Sequence, residues 1–245
     1  MKKIFTFLTI ALIAQSSCAQ LFTTKKVRNN STAGNKNIDN ELLTYGYYLG
    51  FNSLDFKFRY KTNSQKDILV TPSTGFNVGL IGNLKLSNYV DFRFEPGLSF
   101  TTRTLNYPET YTTAEIDFSE TSNSERIVKS TYVYLPFILK FSTKRINNFK
   151  PFILAGASTA FNLSSNEKSL DDNSSGKFRM TSNPNFLELG FGIDFYLYNF
   201  KFTPSIRGVF AQGNELVNDK DSKSPWTSNI SRMQTRGFFI NFTVQ

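Results

Sequence analysis

The chain contains no histidine, one cysteine and one tryptophan in 245 residues. The missing histidine removes Ser-His-Asp and Cys-His nucleophilic sites, His-assisted outer-membrane proteases and acyltransferases, and His-bearing zinc sites. The lone cysteine, Cys18, permits no internal disulfide. Long apolar runs are missing too. The longest, Ile4 to Ala14, is shorter than the roughly 20 residues a spanning helix needs. Lys2 and Lys3 precede it and Ser16-Ser17-Cys18-Ala19 follow it, so residues 1–19 read as a secretory signal cleaved after Ala19. Lipidation at Cys18 is the alternative, but Gln15 stands where that signal wants an aliphatic residue. Lys and Arg outnumber Asp and Glu by 28 to 19, yet they are scattered, so no nucleic-acid footprint is expected.

What the chain does have is aromatic side chains, 26 Phe and 11 Tyr, and period-2 alternation. Every second side chain of a strand shares a face. Over 89–104, Val90, Phe92, Phe94, Pro96, Leu98 and Phe100 form one face; Asp91, Arg93, Glu95, Gly97, Ser99, Thr101 and Arg103 form the other. The run is longer than the usual strand of a soluble domain, about 5–6 residues. Similar alternation predicts strands over 44–60, 74–84, 130–143, 149–162, 186–198, 200–211 and 235–244, eight in all. In the first, Tyr45, Tyr47, Leu49 and Phe51 give way to Leu54, Phe56, Phe58 and Tyr60, a slip of one that predicts a β-bulge near Asn52-Ser53. Residues 149–162 are apolar on both faces and leave their phase open.

The links alternate as well: short ones near 85–88, 144–148 and 198–199, long polar ones over 61–73, 105–129, 163–185 and 212–234. Three tight turns and four long loops close an eight-stranded antiparallel up-and-down transmembrane β-barrel of the outer-membrane type over 44–245, an all-β fold, with residues 20–43 as an irregular periplasmic leader. Lipid then meets the apolar face and the charges turn inward. The expected inner network is Asp91, Arg93, Glu95, Lys140, Glu188, Asp194, Lys201 and Arg207, mutually neutralising plugs that leave no open pore. Pro96, Pro136 and Pro204 are expected at bulges or strand ends, because proline donates nothing to a ladder. Tyr45, Tyr89, Tyr132 and Tyr198 are candidates for interfacial girdles, and Gly75, Gly79 and Gly82 for tight curvature. The Asp91/Glu95 carboxylates share a face with Arg93 and Arg103, which favours ion pairing over acid–base work. Asp171 to Gly176 opens like a calcium loop, but Ser182 stands at the twelfth position where an acidic ligand belongs, so no metal is expected there.

Several stretches resemble the PorT/SprT family of the type IX secretion system in Bacteroidota: Tyr45–Phe56, Gly75–Leu84, Phe92–Leu98, Leu139–Arg145, Asn162–Met180, Glu188–Tyr198, Ser205–Phe210, Ser224–Trp226 and Thr235–Phe242. The loop text around Asn166–Arg179 is the most specific part. The resemblance implies a non-enzymatic component needed to export cargo across the outer membrane and, in gliding species, to deliver surface adhesins. It implies other secretion-machine subunits and lipid as partners, no cofactor and no small-molecule substrate. A filled barrel cannot pass folded cargo, so an accessory role is expected. Its candidate contact residues are Asn166, Glu167, Asp171, Asp172 and Arg179 in one loop and Trp226, as an aromatic anchor, in another. Phe242 stands three residues before Gln245, whereas many such barrels end in an aromatic. A small structural or adhesion barrel unrelated to secretion is the competing reading.

Overall fold

The computed structural model describes residues 41–62, 68–113, 116–169, 171, 177–197, 200–221 and 224–245. The expected signal, nearly all of the leader, Asp172 and Tyr198 lie outside the described residues. Ten strand segments are present: β1 (Leu43–Tyr60), β2 (Leu69–Pro72), β3 (Thr74–Lys85), β4 (Val90–Phe94), β5 (Gly97–Asn106), β6 (Glu125–Ser142), β7 (Phe149–Asn162), β8 (Asn185–Tyr196), β9 (Lys201–Ala211) and β10 (Ile230–Val244). They form eight staves. β4 and β5 keep one register against both neighbours, so Val90 to Asn106 is a single stave; the regular pairing lapses at Glu95-Pro96, where Leu80 N–H still donates to Pro96 O (2.9 Å). β2 and β3 make another.

Each stave pairs antiparallel with its neighbours in the chain, and the ring closes. β1 pairs with β10 from Tyr47↔Val244 to Arg59↔Arg232, and with β3 from Leu43↔Leu84 to Ser53↔Thr74. Closure satisfies the spanning backbone internally, which hydrocarbon demands. The architecture is the all-β, eight-stranded antiparallel barrel. The short links and both described ends of the chain gather at one end, where Lys85 N–H donates to Leu42 O (2.8 Å) and Lys201 N–H to Gln245 O (2.7 Å). The four long links lie at the other.

The polarity is that of a soluble protein turned inside out. Tyr47, Leu49, Phe51, Val78, Leu80, Phe137, Ile153, Leu189, Phe191 and Phe238 are exposed, whereas Arg93, Glu95, Lys140, Glu188, Asp194 and Arg207 are buried. This order is stable only where lipid surrounds the wall.

The sequence expectations need four corrections. First, β1 carries no bulge at Asn52-Ser53. Its register to β10 is unbroken from Tyr47 to Arg59, and odd-numbered side chains point outward throughout. Leu54 and Phe56 therefore point inward and are buried. The apparent slip is a change of solvent: up to Phe51 the outer face meets lipid, and beyond Ser53 the apolar side chains turn in while Asp55, Lys57 and Arg59 face outward. A bulge does occur in the next stave, where Pro72 pairs with Arg103 while the β3–β5 register has moved on by one residue at Ser73. Second, β6 and β10 begin at Glu125 and Ile230, inside the expected loops. Their upper turns have a polar outer face (Lys129, Arg232, Arg236), so an apolar-out search misses them. Third, Pro136 and Pro204 sit within strands, opposite Ser158 and Phe242, rather than at their ends; Pro96 separates β4 from β5, and the β8–β9 pairing lapses at Thr203-Pro204. Fourth, Tyr132 points inward and is buried, whereas Tyr45 and Tyr89 do face outward. The open phase of β7 is settled too: Phe152 and Leu154 face in, with Ile138.

Candidate functional site

The interior is built in layers, each set by the parity of the staves. At the short-link end, Asp91, Lys201, Lys150, Lys85, Asn83 and Glu41 line a polar recess of about 30 Å³. That is room for little more than one water. Directly above it, Lys140 Nζ from β6 lies 2.5 Å from Asp194 Oδ2 from β8, and Thr203 Oγ1 donates to Asp194 Oδ1 at 2.7 Å. Phe152 closes this layer, its ring 4.3 Å from Lys140 Nζ. It lies over Gly192, where a Cβ would meet Phe152 Cζ at 2.5 Å.

The next layer is a chain of alternating charge. Arg93 contacts Glu95 (3.1 Å), Arg207 reaches Glu95 (2.7 Å) and Glu188 (3.1 Å), and Tyr134 O–H donates to Glu188 at 2.8 Å. Four staves supply these groups. Tyr48 covers the chain from β1 and donates to Glu95 O at 3.3 Å. Its side chain lies against Gly79 and Gly97, which pair in register; a Cβ on Gly79 would meet Tyr48 Cε1 at 2.7 Å. Those glycines serve interior packing rather than curvature. Above them Asn52 donates to Asn77 and Asn77 to Asn241, linking the adjacent staves β1, β3 and β10 from inside, followed by Arg103. Arg103 donates to Ser130 (2.7 Å), Tyr132 (3.1 Å) and Thr235 (3.1 Å), all neutral, and stacks 3.9 Å from the Phe56 ring.

From Phe56 upward the core is apolar. Ile68, Leu105, Tyr107, Tyr111, Phe118, Phe178, Met180, Leu216, Trp226 and Met233 belong to one buried cluster, fed by all four long links. Glu215 ties this cap to the wall: Thr235 N–H (3.1 Å) and Thr235 O–H both donate to its Oε2. Burial raises the Glu215 carboxyl above its ordinary range, against the pull of those bonds and of Arg103. On the loop surface the opposite holds. The Ser182 hydroxyl and, with it, the Ser182 N–H at 2.6 Å hold the Glu167 carboxyl below its ordinary value.

All eight expected network residues are buried, and six of them join in ion pairs; Asp91 and Lys201 instead line the recess below. The expected contact residues divide. Asn166 is exposed at a left-handed φ of 52°, and Asp171 pairs with Lys177 at 2.6 Å in solvent. Trp226 is no surface anchor: it is 3 % exposed, tilted against Phe118 at 5.7 Å between ring centres and covered by the Arg126 guanidinium at 4.9 Å. Arg179 is also buried, its Nη2 donating to Asn218 O at 2.5 Å and lying 3.5 Å from Asp219. A serine- and asparagine-rich loop around an aromatic reads as surface until its partners are known. Arg103 shared the network's parity and belongs with it. Glu215 gave no signal, because it lies in a link without periodicity. Among the described residues no group of His, Cys, Asp and Glu side chains is arranged to hold a metal ion.

Residues 19–216 match the family model described as outer membrane protein beta-barrel domain. The chain belongs to this family. Members of the outer-membrane barrel family work in lipid, so the apolar belt has its solvent and the outer membrane is the chain's location. No curated protein matches the chain. Similar solved structures include the attachment invasion locus protein Ail of Yersinia pestis (13% identity, covering 82% of this chain and 96% of Ail, TM-score 0.35). They also include OprG of Pseudomonas aeruginosa (13%, 82% and 93%, TM-score 0.40) and the protease OmpT of Escherichia coli (10%, 87% and 99%, TM-score 0.41).

Proposed function

We propose that this barrel is a non-enzymatic component of the type IX protein secretion and gliding machinery, required for export of cargo to the cell surface. The supporting observation is the family-like text of Asn162–Met180, which falls on a long link rather than on the wall. Lipid-facing strands of any barrel converge on similar composition, whereas a loop sequence has no such constraint. The role is accessory. Charged plugs and an apolar cap fill the cylinder, so cargo passes elsewhere while the barrel anchors a contact surface in the membrane. The inner charges act as structure rather than as an ion path. Among the described residues seven buried cations (Arg93, Arg103, Arg126, Lys140, Arg179, Lys201, Arg207) face six buried carboxylates (Asp91, Glu95, Glu188, Asp194, Glu215, Asp219), so the buried charges nearly cancel. With Trp226 and Arg179 engaged in the cap, the contact surface is the outer side of the link around Asn166, Glu167 and Asp171.

The test is a deletion strain carrying a reporter cargo. Loss of secretion is expected, with recovery on re-expression of the wild type. Replacing Asn166–Lys168 by Gly-Ser-Gly should reduce secretion while leaving the barrel folded and inserted. Normal secretion in the deletion strain refutes the reading.

A further inference from the structure

We infer that the outer face of the β1–β10 ribbon, just beyond the apolar belt, binds a phosphate group of an outer-leaflet lipid. The level is set by the inversion in β1. Leu43 to Ser53 is eleven residues, the 9–11 that a tilted transmembrane strand needs. On β10 the last outward apolar side chain toward the long-loop end is Phe238; the outward positions after it are Arg236, Gln234 and Arg232. Their register partners on β1 are Asp55, Lys57 and Arg59. A strand rising about 3.3 Å per residue at about 40° of tilt places Arg236 roughly 5 Å, Lys57 roughly 10 Å, and Arg59 with Arg232 roughly 15 Å above Phe238. Arg236 thus stands at headgroup depth, about 5–7 Å past the hydrocarbon, and Lys57, Arg59 and Arg232 stand above it, where their long stems can reach down toward the headgroups.

Four cations therefore meet one carboxylate. Asp55 Oδ2 engages Arg236 at 3.1 Å, and the Arg236 side chain is still 52% exposed. Arg232 spends one N–H on Gln212 O at 2.6 Å, which fixes its direction. Lys57 and Arg59 are exposed. Elsewhere on the same rim, among the described residues, the outward positions are mostly neutral: Thr102 and Thr104 on β5, Thr159 on β7 and Asn185 on β8, with Lys129 alone on β6. Basic side chains close above an apolar wall match an amphiphile whose acyl chains lie on Phe51, Phe238 and Phe242 and whose phosphate stands over them; long Lys and Arg stems adapt to its height. A guanidinium pair adds forked donors for phosphate oxygens.

The experiment is native mass spectrometry of the detergent-solubilised barrel with an acylated disaccharide bisphosphate and with the same lipid after phosphatase treatment. Wild type should retain the phosphorylated lipid and lose the dephosphorylated one. Lys57→Gln with Arg59→Gln should lower occupancy about tenfold, and Lys129→Gln, across the barrel, should leave it unchanged. Trp226 fluorescence checks that each variant is folded. Millimolar inorganic phosphate should fail to displace the lipid. Equal retention of both lipids, undiminished binding by the double variant, or displacement by free phosphate overturns the assignment; the first of these would mean that the acyl chains alone are held.

Discussion

Lys140 and Asp194 show what one residue is worth inside this wall. Each is fully desolvated, and each is tolerable only because the other is 2.5 Å away. Lys140→Met would leave the Asp194 carboxylate with the Thr203 hydroxyl and the more distant Lys201 ammonium, at a cost of about 3 kcal/mol. Adding Asp194→Leu should return part of that loss, since a buried pair is often replaceable by apolar groups of similar volume, but buried Lys201 then loses the Asp194 charge as well. Denaturant midpoints in lipid vesicles measure both. Gly79 is sensitive for a steric reason: a methyl there meets Pro96 O at 2.4 Å and the Tyr48 ring at 2.7 Å. Gly79→Ala should cost about 1–3 kcal/mol and weaken the Tyr48 contact with Glu95.

At the scale of the element, β1 is one unbroken strand in two solvents. Leu49→Arg, in the middle of the lipid-facing stretch, should lower stability in a bilayer by about 2–4 kcal/mol. Lys57→Leu, on the same face eight residues on, should shift it by under about 0.5 kcal/mol. A wall that was soluble along its whole length would not separate the two. The link over 212–229 responds to pH through Glu215. Burial raises its folded-state pKa, so the folded cap holds the proton more tightly than the open chain does. The stabilisation is complete below the ordinary carboxylate value and is lost as pH rises through the raised one. Trp226, the sole tryptophan and part of this cap, should report looser packing and faster proteolysis of the link as pH rises. Glu215→Gln should flatten that profile.

Over the whole molecule, belt, charged layers and cap together make a closed plug. Purified protein in planar bilayers should show no steady conductance on the scale of a large porin, and acrylamide should quench Trp226 poorly. Sustained channel activity would refute the sealed interior. The same closure explains why nothing short of the outer surface is available to partners: the loop side and the lipid-facing ribbon are what the barrel offers.

Alternation alone determined much of this. Asp91, Arg93, Glu95, Lys140, Glu188, Asp194, Lys201 and Arg207 fall on one parity because the strand period is two, and a ring of eight such strands has only one inside. Loop lengths carried the topology for the same local reason. Tertiary structure decided the rest. Whether Leu54 faces lipid or core depends on the height at which β1 leaves the bilayer. Whether Trp226 is anchor or core depends on Phe118 and Arg126, more than ninety residues away. Period and composition are properties of a segment, whereas solvent level and burial belong to positions that exist only once the ring has closed.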